Sequence, residues 1–157
     1  MIMKRAISVC ALALCSALVF GQSAKVVSLP LDFDVTLADL HRAAQSGDDR
    51  EIPSGRWIVL DATVGSVTVR SDTDAEFVAE VELVEGEWIG DDRVELLRAY
   101  AVFEGHSFKP YFSRTSPDRL QPGDHILLLS TYLGIGVDYD ETTPVAVVEG
   151  VSLRIMN

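Results

Sequence analysis

From Trp57 onward the chain alternates apolar and polar residues with a period of two, in segments that continue almost to its end. That period puts successive side chains on opposite faces of a strand, so it predicts sheet rather than helix. WIVLDATVGSVTVR (57–70) is dense in β-branched residues and carries Gly65 in its middle, where a bulge or sharp bend fits. After the turn SDTD, the segment 75–89 alternates cleanly. Ala75, Phe77, Ala79, Val81 and Leu83 fall on one face, Glu76, Glu80 and Glu82 on the other, so one face is core and the other is wet. Gly90-Asp91-Asp92 is a turn and 93–104 a third strand. HILLLSTYLGI (125–135) and VAVVEGVSLRIM (145–156) are the fourth and fifth.

Two stretches break the pattern. Leu37, Leu40 and Ala44 recur at helical spacing, Thr36 precedes them with Asp39 three residues on, and Gly47 follows, which predicts a short capped helix over about 37–45. KVVSLPLDF (25–33), interrupted by Pro30, reads as an extended lead-in. Residues 105–121 lose periodicity and gather Pro110, Pro117, Arg114, Arg119 and three aromatics, which predicts a long connection with one helical turn near Ser116 to Leu120. Five strands, a helix before them and an irregular span between the third and fourth fit a small antiparallel barrel.

The bent first strand with its central Gly65, the Pro-Gly-Asp turn at 122–124 before ILLLSTYLGI, the short acidic loop and the closing TPVAVVEGVSLRI together resemble an OB-fold domain over about Ile52 to Met156. Where such domains often carry glycine in the fourth strand, this chain has Ser130 before Thr131 and Tyr132. The resemblance implies a mainly β protein, a five-stranded antiparallel OB-like barrel over 56–157 preceded by a short N-terminal helix within an extension, 22–55. It also implies an open face that engages single-stranded nucleic acid, sugars or protein segments.

The first residues change the setting. Lys4 and Arg5 precede an apolar run from Ala6 to Phe20 and then small polar residues, the layout of an export signal over 1–21, with cleavage after Gly21 or Ala24 both fitting. The run is shorter than the roughly 20 residues a spanning helix needs, so no membrane span is expected after cleavage. Both cysteines, Cys10 and Cys15, lie inside it, and the remainder carries none, which removes disulfides and zinc thiolates. The expected location is periplasmic or secreted.

Composition narrows the partners. With 24 Asp+Glu against 13 Lys+Arg, the formal net charge is -11 over 157 residues. Binding to nucleic acid draws on Lys and Arg neutralising phosphates, so no nucleic acid is expected and a protein partner in the cell envelope is.

Candidate chemistry is sparse. His41, His106 and His125 are far apart and match no metal or hydrolase spacing, and His106-Ser107 lacks both an acid partner and a nucleophile-elbow context. No catalytic constellation and no cofactor are implied, so the expected role is binding. Asp138, Asp140 and Glu141 offer oxygens for a hard cation without a full calcium loop. A divalent-cation or small-ligand protein is therefore the alternative, against an ordinary solvated loop. The loop with Phe108, Tyr111, Phe112, Arg114 and Arg119 concentrates aromatics and cations in an acidic chain. It is either a binding surface or the plug of the barrel.

Overall fold

The structure, a computed structural model, describes residues 30–156. The segment read as an export signal, with both cysteines, lies outside them. The elements in chain order are β1 (Leu31–Asp32), α1 (Leu37–Ser46), β2 (Trp57–Asp72), β3 (Phe77–Ile89), β4 (Arg93–Glu104), β5 (His125–Val137) and β6 (Pro144–Met156), with a 3-10 turn at His106–Tyr111 between β4 and β5.

Pairing runs β1-β2-β3-β4-β6-β5, and β5 returns to pair with β2. All pairs among the five long strands are antiparallel except β4 with β6, which run parallel over Ala99 to Val102 against Ala146 to Glu149. This is the OB arrangement, and the mainly β OB-like barrel with a preceding helix is what forms. The two-residue β1 adds a parallel edge to the start of β2.

Gly65 acts where the pattern placed it. Ile58, Leu60, Ala62 and Val64 point inward from β2. A register shift between Val64 and Ser66 then moves the inward set to odd positions, so that Val67 packs on the core. One extra residue thus turns Val67 toward the core past the bulge, while Val69 beyond it is exposed. In β3, Phe77, Ala79, Val81 and Leu83 are buried, while Ala75 belongs to the preceding turn. Ser130, standing where glycine was expected, is fully buried and donates its hydroxyl to the Ile58 carbonyl (3.3 Å), so the polar atom is satisfied.

Both barrel ends are closed. At the end where β4 and β6 begin sits α1. Thr36 and Asp39 form a reciprocal capping box, and Gly47 stops the helix in the left-handed region (φ 68°). Its buried residues are Leu37, Leu40, Ala43 and Ala44, and its rim is tied by the Arg98 N–H donating to His41 Nδ1 (3.2 Å) and by Gln45 Nε2 donating to the Pro144 carbonyl (3.5 Å). The other end is closed by the connection after β4. The helical turn expected near Ser116 forms instead at His106–Tyr111, because Gly105, at φ 100°, swings the chain off β4 and lets Phe108 fold back edge-on to Phe103.

Gly150 on β6 faces that aromatic plug: a β-carbon there would fall 2.3 Å from the Phe103 ring. Gly150→Ala is expected to destabilise the fold by about 1–3 kcal/mol. Urea unfolding measures it, and an unchanged midpoint would contradict this packing.

Candidate functional site

The outward side chains of β3 and β4 form facing rows: Glu80, Glu82, Val84 and Trp88 on one strand, Val102, Tyr100, Arg98, Leu96 and Val94 on the other. Alternation alone put the glutamates on a wet face, but it did not show what stands opposite. Arg98 Nε donates to Glu82 Oε1 (2.7 Å), its Nη1 lies 2.8 Å from Asp138 Oδ2, and its Nη2 reaches the Tyr100 hydroxyl (3.3 Å). The Tyr100 hydroxyl donates in turn to Asp138 Oδ1 (2.9 Å). Next to this group, Arg70 of β2 pairs with Glu80 (2.8 Å), and its guanidinium carbon sits 4.7 Å from the centroid of the Tyr139 ring. The Tyr139 hydroxyl donates to Glu80 Oε2 (2.7 Å), and its ring meets Tyr100 edge-on at 5.8 Å.

The loop that supplies Asp138 and Tyr139 is stapled internally. Asp140 accepts from the backbone N–H groups of Thr142 and Thr143 (2.9 and 2.8 Å), and the Asp138 N–H donates to the Thr143 carbonyl (2.8 Å). Such turns fix a loop with local side-chain acceptors. Between the loop and the sheet lies a cavity of about 300 Å³. Arg70, Tyr100 and Tyr139 wall it, and Val102, Val145 and Val147 line it with apolar surface.

Electrostatics in this group are compensated. Burial pushes the Asp138 carboxyl up, but the Tyr139 N–H, the Tyr100 hydroxyl and Arg98 outweigh it and hold it below the ordinary range. Glu80 is likewise raised by burial and brought below its usual value by Arg70 and the Tyr139 hydroxyl. Burial, and then the bond to Asp138, push Tyr100 well above an ordinary phenol.

The sequence-derived sites are placed as follows. Phe112 is buried and stacks at 5.6 Å from both Phe77 and Phe103, and Phe108 lies 5.1 Å from Phe103, so these two rings sit in the plug. Tyr111 is half-buried, while Arg114 and Arg119 are exposed beside it. Asp138, Asp140 and Glu141 do not converge on a cation. Asp138 is taken by Arg98 and Tyr100, Asp140 by loop amides, and no group of three or more metal-ligating side chains occurs among the described residues. The histidines are equally dispersed. His41 accepts from Arg98, His106 contacts the Thr73 carbonyl (3.0 Å) and His125 pairs with Asp61. Tyr100, Tyr139 and Arg70 were missed by sequence reasoning, and Arg98, grouped there with Lys109, Arg114 and Arg119, stands instead with Glu82 and Asp138. The signal available was the Glu80/Glu82 alternation, which places carboxylates where arginines of the neighbouring strands can pair with them.

No model of a known protein family matches the chain, and no curated protein matches it. Among solved structures, it is similar to the protein priB from Ralstonia solanacearum (14% identity, 64% of this chain and 97% of that one, TM-score 0.40). It is also similar to a small single-stranded DNA-binding protein from Streptomyces coelicolor (10%, 64% and 91%, 0.48). A third is the Plasmodium falciparum SSB in complex with ssDNA (13%, 64% and 94%, 0.47). These findings correct the expectations of partner and role drawn from charge. An envelope module contacting a protein, its small-ligand or divalent-cation alternative, and the exclusion of nucleic acid are all withdrawn. The neighbours that share this architecture are described as single-stranded DNA-binding proteins. Net charge sums over the whole surface, whereas a binding face is set by its own side chains, so the sum does not by itself exclude nucleic acid.

The depressed carboxyls carry a pH consequence. A carboxyl whose folded pKa lies below its unfolded value adds stability that is present above the unfolded pKa, 3.8 for Asp and 4.5 for Glu, and is lost as pH falls through the folded one. Urea midpoints are expected to fall as the pH drops below about 4, and Asp138→Asn is expected to flatten that fall. An identical pH profile for the variant would contradict the assignment.

Proposed function

We propose that this domain binds single-stranded nucleic acid without acting on it chemically, laying the strand along the outer face of β2, β3 and β4. The observation that carries the reading is the cavity beneath the β5–β6 loop. It has two tyrosines and a stacked arginine for walls, a valine lining and the carboxylates of Glu80, Asp138 and Glu141 around it, in a volume of about 300 Å³, roomy enough for an unstacked base. Tyr139 leaves 55% of its surface exposed, and Trp88, farther along the same face, leaves 69%. Every base has a π-face, so exposed aromatics and arginine planes hold single strands with little regard to sequence, at about 1–3 kcal/mol per stacked base. OB barrels present this side, the second and third barrel strands with the last loop, to oligonucleotides and oligosaccharides.

The acidic composition shapes the mode of binding. Arg70 and Arg98 share the face with Glu80, Glu82, Asp138 and Glu141, so the face keeps a negative excess and offers the phosphates no net attraction. Affinity therefore comes from stacking, and the strand displaces few counterions. With one or two phosphates engaged, log K is expected to fall by only ~0.7 to 1.4 per tenfold rise in salt.

Fluorescence anisotropy with a labelled oligo-dT at low salt tests this. Tyr139→Ala is expected to weaken binding about 5- to 100-fold, while Tyr139→Phe retains most of it. Equal affinities for wild type and Tyr139→Ala, or no binding by the wild type, would overturn the reading.

A further inference from the structure

Within the described residues, four arginines have no carboxylate in ion-pair contact: Arg93, Arg114, Arg119 and Arg154. Three of the four lie around the plugged end of the barrel, although every other described cation on this acidic protein is paired. We propose that the cavity bounded by Tyr111, Arg119 and Arg154 at that end binds a phosphate group. It measures about 460 Å³ and is continuous with Pro117, Gln121 and the strand residues Leu153 and Ile155.

Three features make it a site rather than a chance grouping. Its frame is rigid: the Leu120 N–H donates to the Tyr111 carbonyl (2.8 Å), and Leu120, next to Arg119, is buried in the core. The Gly123 N–H donates to the Val64 carbonyl and the Val64 N–H to the Asp124 carbonyl, both at 2.8 Å, which pins the loop to β2. The two guanidiniums come from different elements, the pinned loop and β6, so they approach one volume from two sides. A planar fork of donors on each side suits the oxygens of a phosphate, which accepts bidentate pairs. Finally, Asp118 and Asp124 also line the cavity, yet neither forms an ion pair with Arg119 or Arg154. Asp124 instead accepts from the Gln121 N–H (2.7 Å) and holds the turn. The two carboxylates offset the two guanidiniums, so a phosphate here is held by directed bidentate hydrogen bonds and not by net positive charge.

The phosphate could belong to a free anion or to a nucleic-acid backbone, and only the second source rests on the reading above. Titration of the isotope-labelled protein with inorganic phosphate at constant ionic strength, followed by NMR at the arginine Nε–H and Tyr111 signals, addresses the first. Oligo-dT anisotropy on Arg119→Gln, Arg154→Gln and the double variant addresses the second. These side chains are exposed, and circular dichroism verifies that the variants fold. Saturable shifts at Arg119 and Arg154 that vanish in the double variant support the site with free phosphate. A loss of oligonucleotide affinity of about fivefold or more, with the salt slope reduced by ~0.7 for the one contact removed, supports it with a backbone phosphate. Failure of both measurements, no saturable shift and unchanged oligonucleotide affinity, overturns the inference even if Tyr139→Ala still weakens binding. Phosphate binding without any oligonucleotide binding would leave the site standing and remove the nucleic-acid reading.

Discussion

Arg98 joins four parts of the molecule that are distant in sequence. Its backbone N–H holds His41 on α1, and its guanidinium bridges Glu82 on β3 and Asp138 on the β5–β6 loop while touching the Tyr100 hydroxyl. The side chain is only 29% exposed, so these bonds form where water competes weakly and where an unpaired partner would be costly. The position of the acidic loop and the walls of the cavity under it depend on that side chain, and the helix is tied to the same residue through its backbone. A loop of this composition would otherwise be an ordinary solvated turn. Tied to Arg98 and stacked on Arg70 through Tyr139, it becomes one side of a cleft.

The strands were legible because their physics is local. Alternation from Phe77 to Leu83, the β-branched run around Gly65 and the Pro-Gly-Asp turn each act within a few residues, and the capping box of α1 is closed by two residues three apart. Much of what makes the barrel is nonlocal and left no mark in any window. β5 returns to β2, β4 lies parallel to β6 over a short span, and β1 pairs in parallel with residues some way down the chain. The helical turn was misplaced for a related reason. Ser116 to Leu120 carries helix-compatible residues, but Phe108 gains a place against Phe103 only if the turn forms directly after Gly105.

The candidate site was legible only in outline. Phe108, Tyr111 and Phe112 stand close together in the chain, yet the fold divides them. Phe112 is buried while Phe108 and Tyr111 are half-buried against the core, and Tyr111 also borders a surface cavity, because aromatic residues in an irregular span serve packing or contact according to a tertiary direction the chain does not encode locally. Tyr100 and Tyr139 drew no notice, since one was an outward position in a strand and the other sat in an acidic loop. The net charge of -11 was a true statement about the surface as a whole. It says nothing of how the charge is distributed: two arginines are paired at the outer face, and among the described residues three stand without a carboxylate partner at the plugged end.

The proposed contact has a definite place, the outer face of β2, β3 and β4 beneath the β5–β6 loop. Backbone amide shifts of the isotope-labelled protein, recorded by NMR during titration with an unlabelled oligo-dT at low salt, locate that contact directly. The account predicts that the largest shifts fall on Arg70, Arg98, Tyr100 and Tyr139 and extend toward Trp88. Shifts confined to the opposite side of the barrel, around Val59, Leu127 and Val151, or no shifts at all, would contradict it.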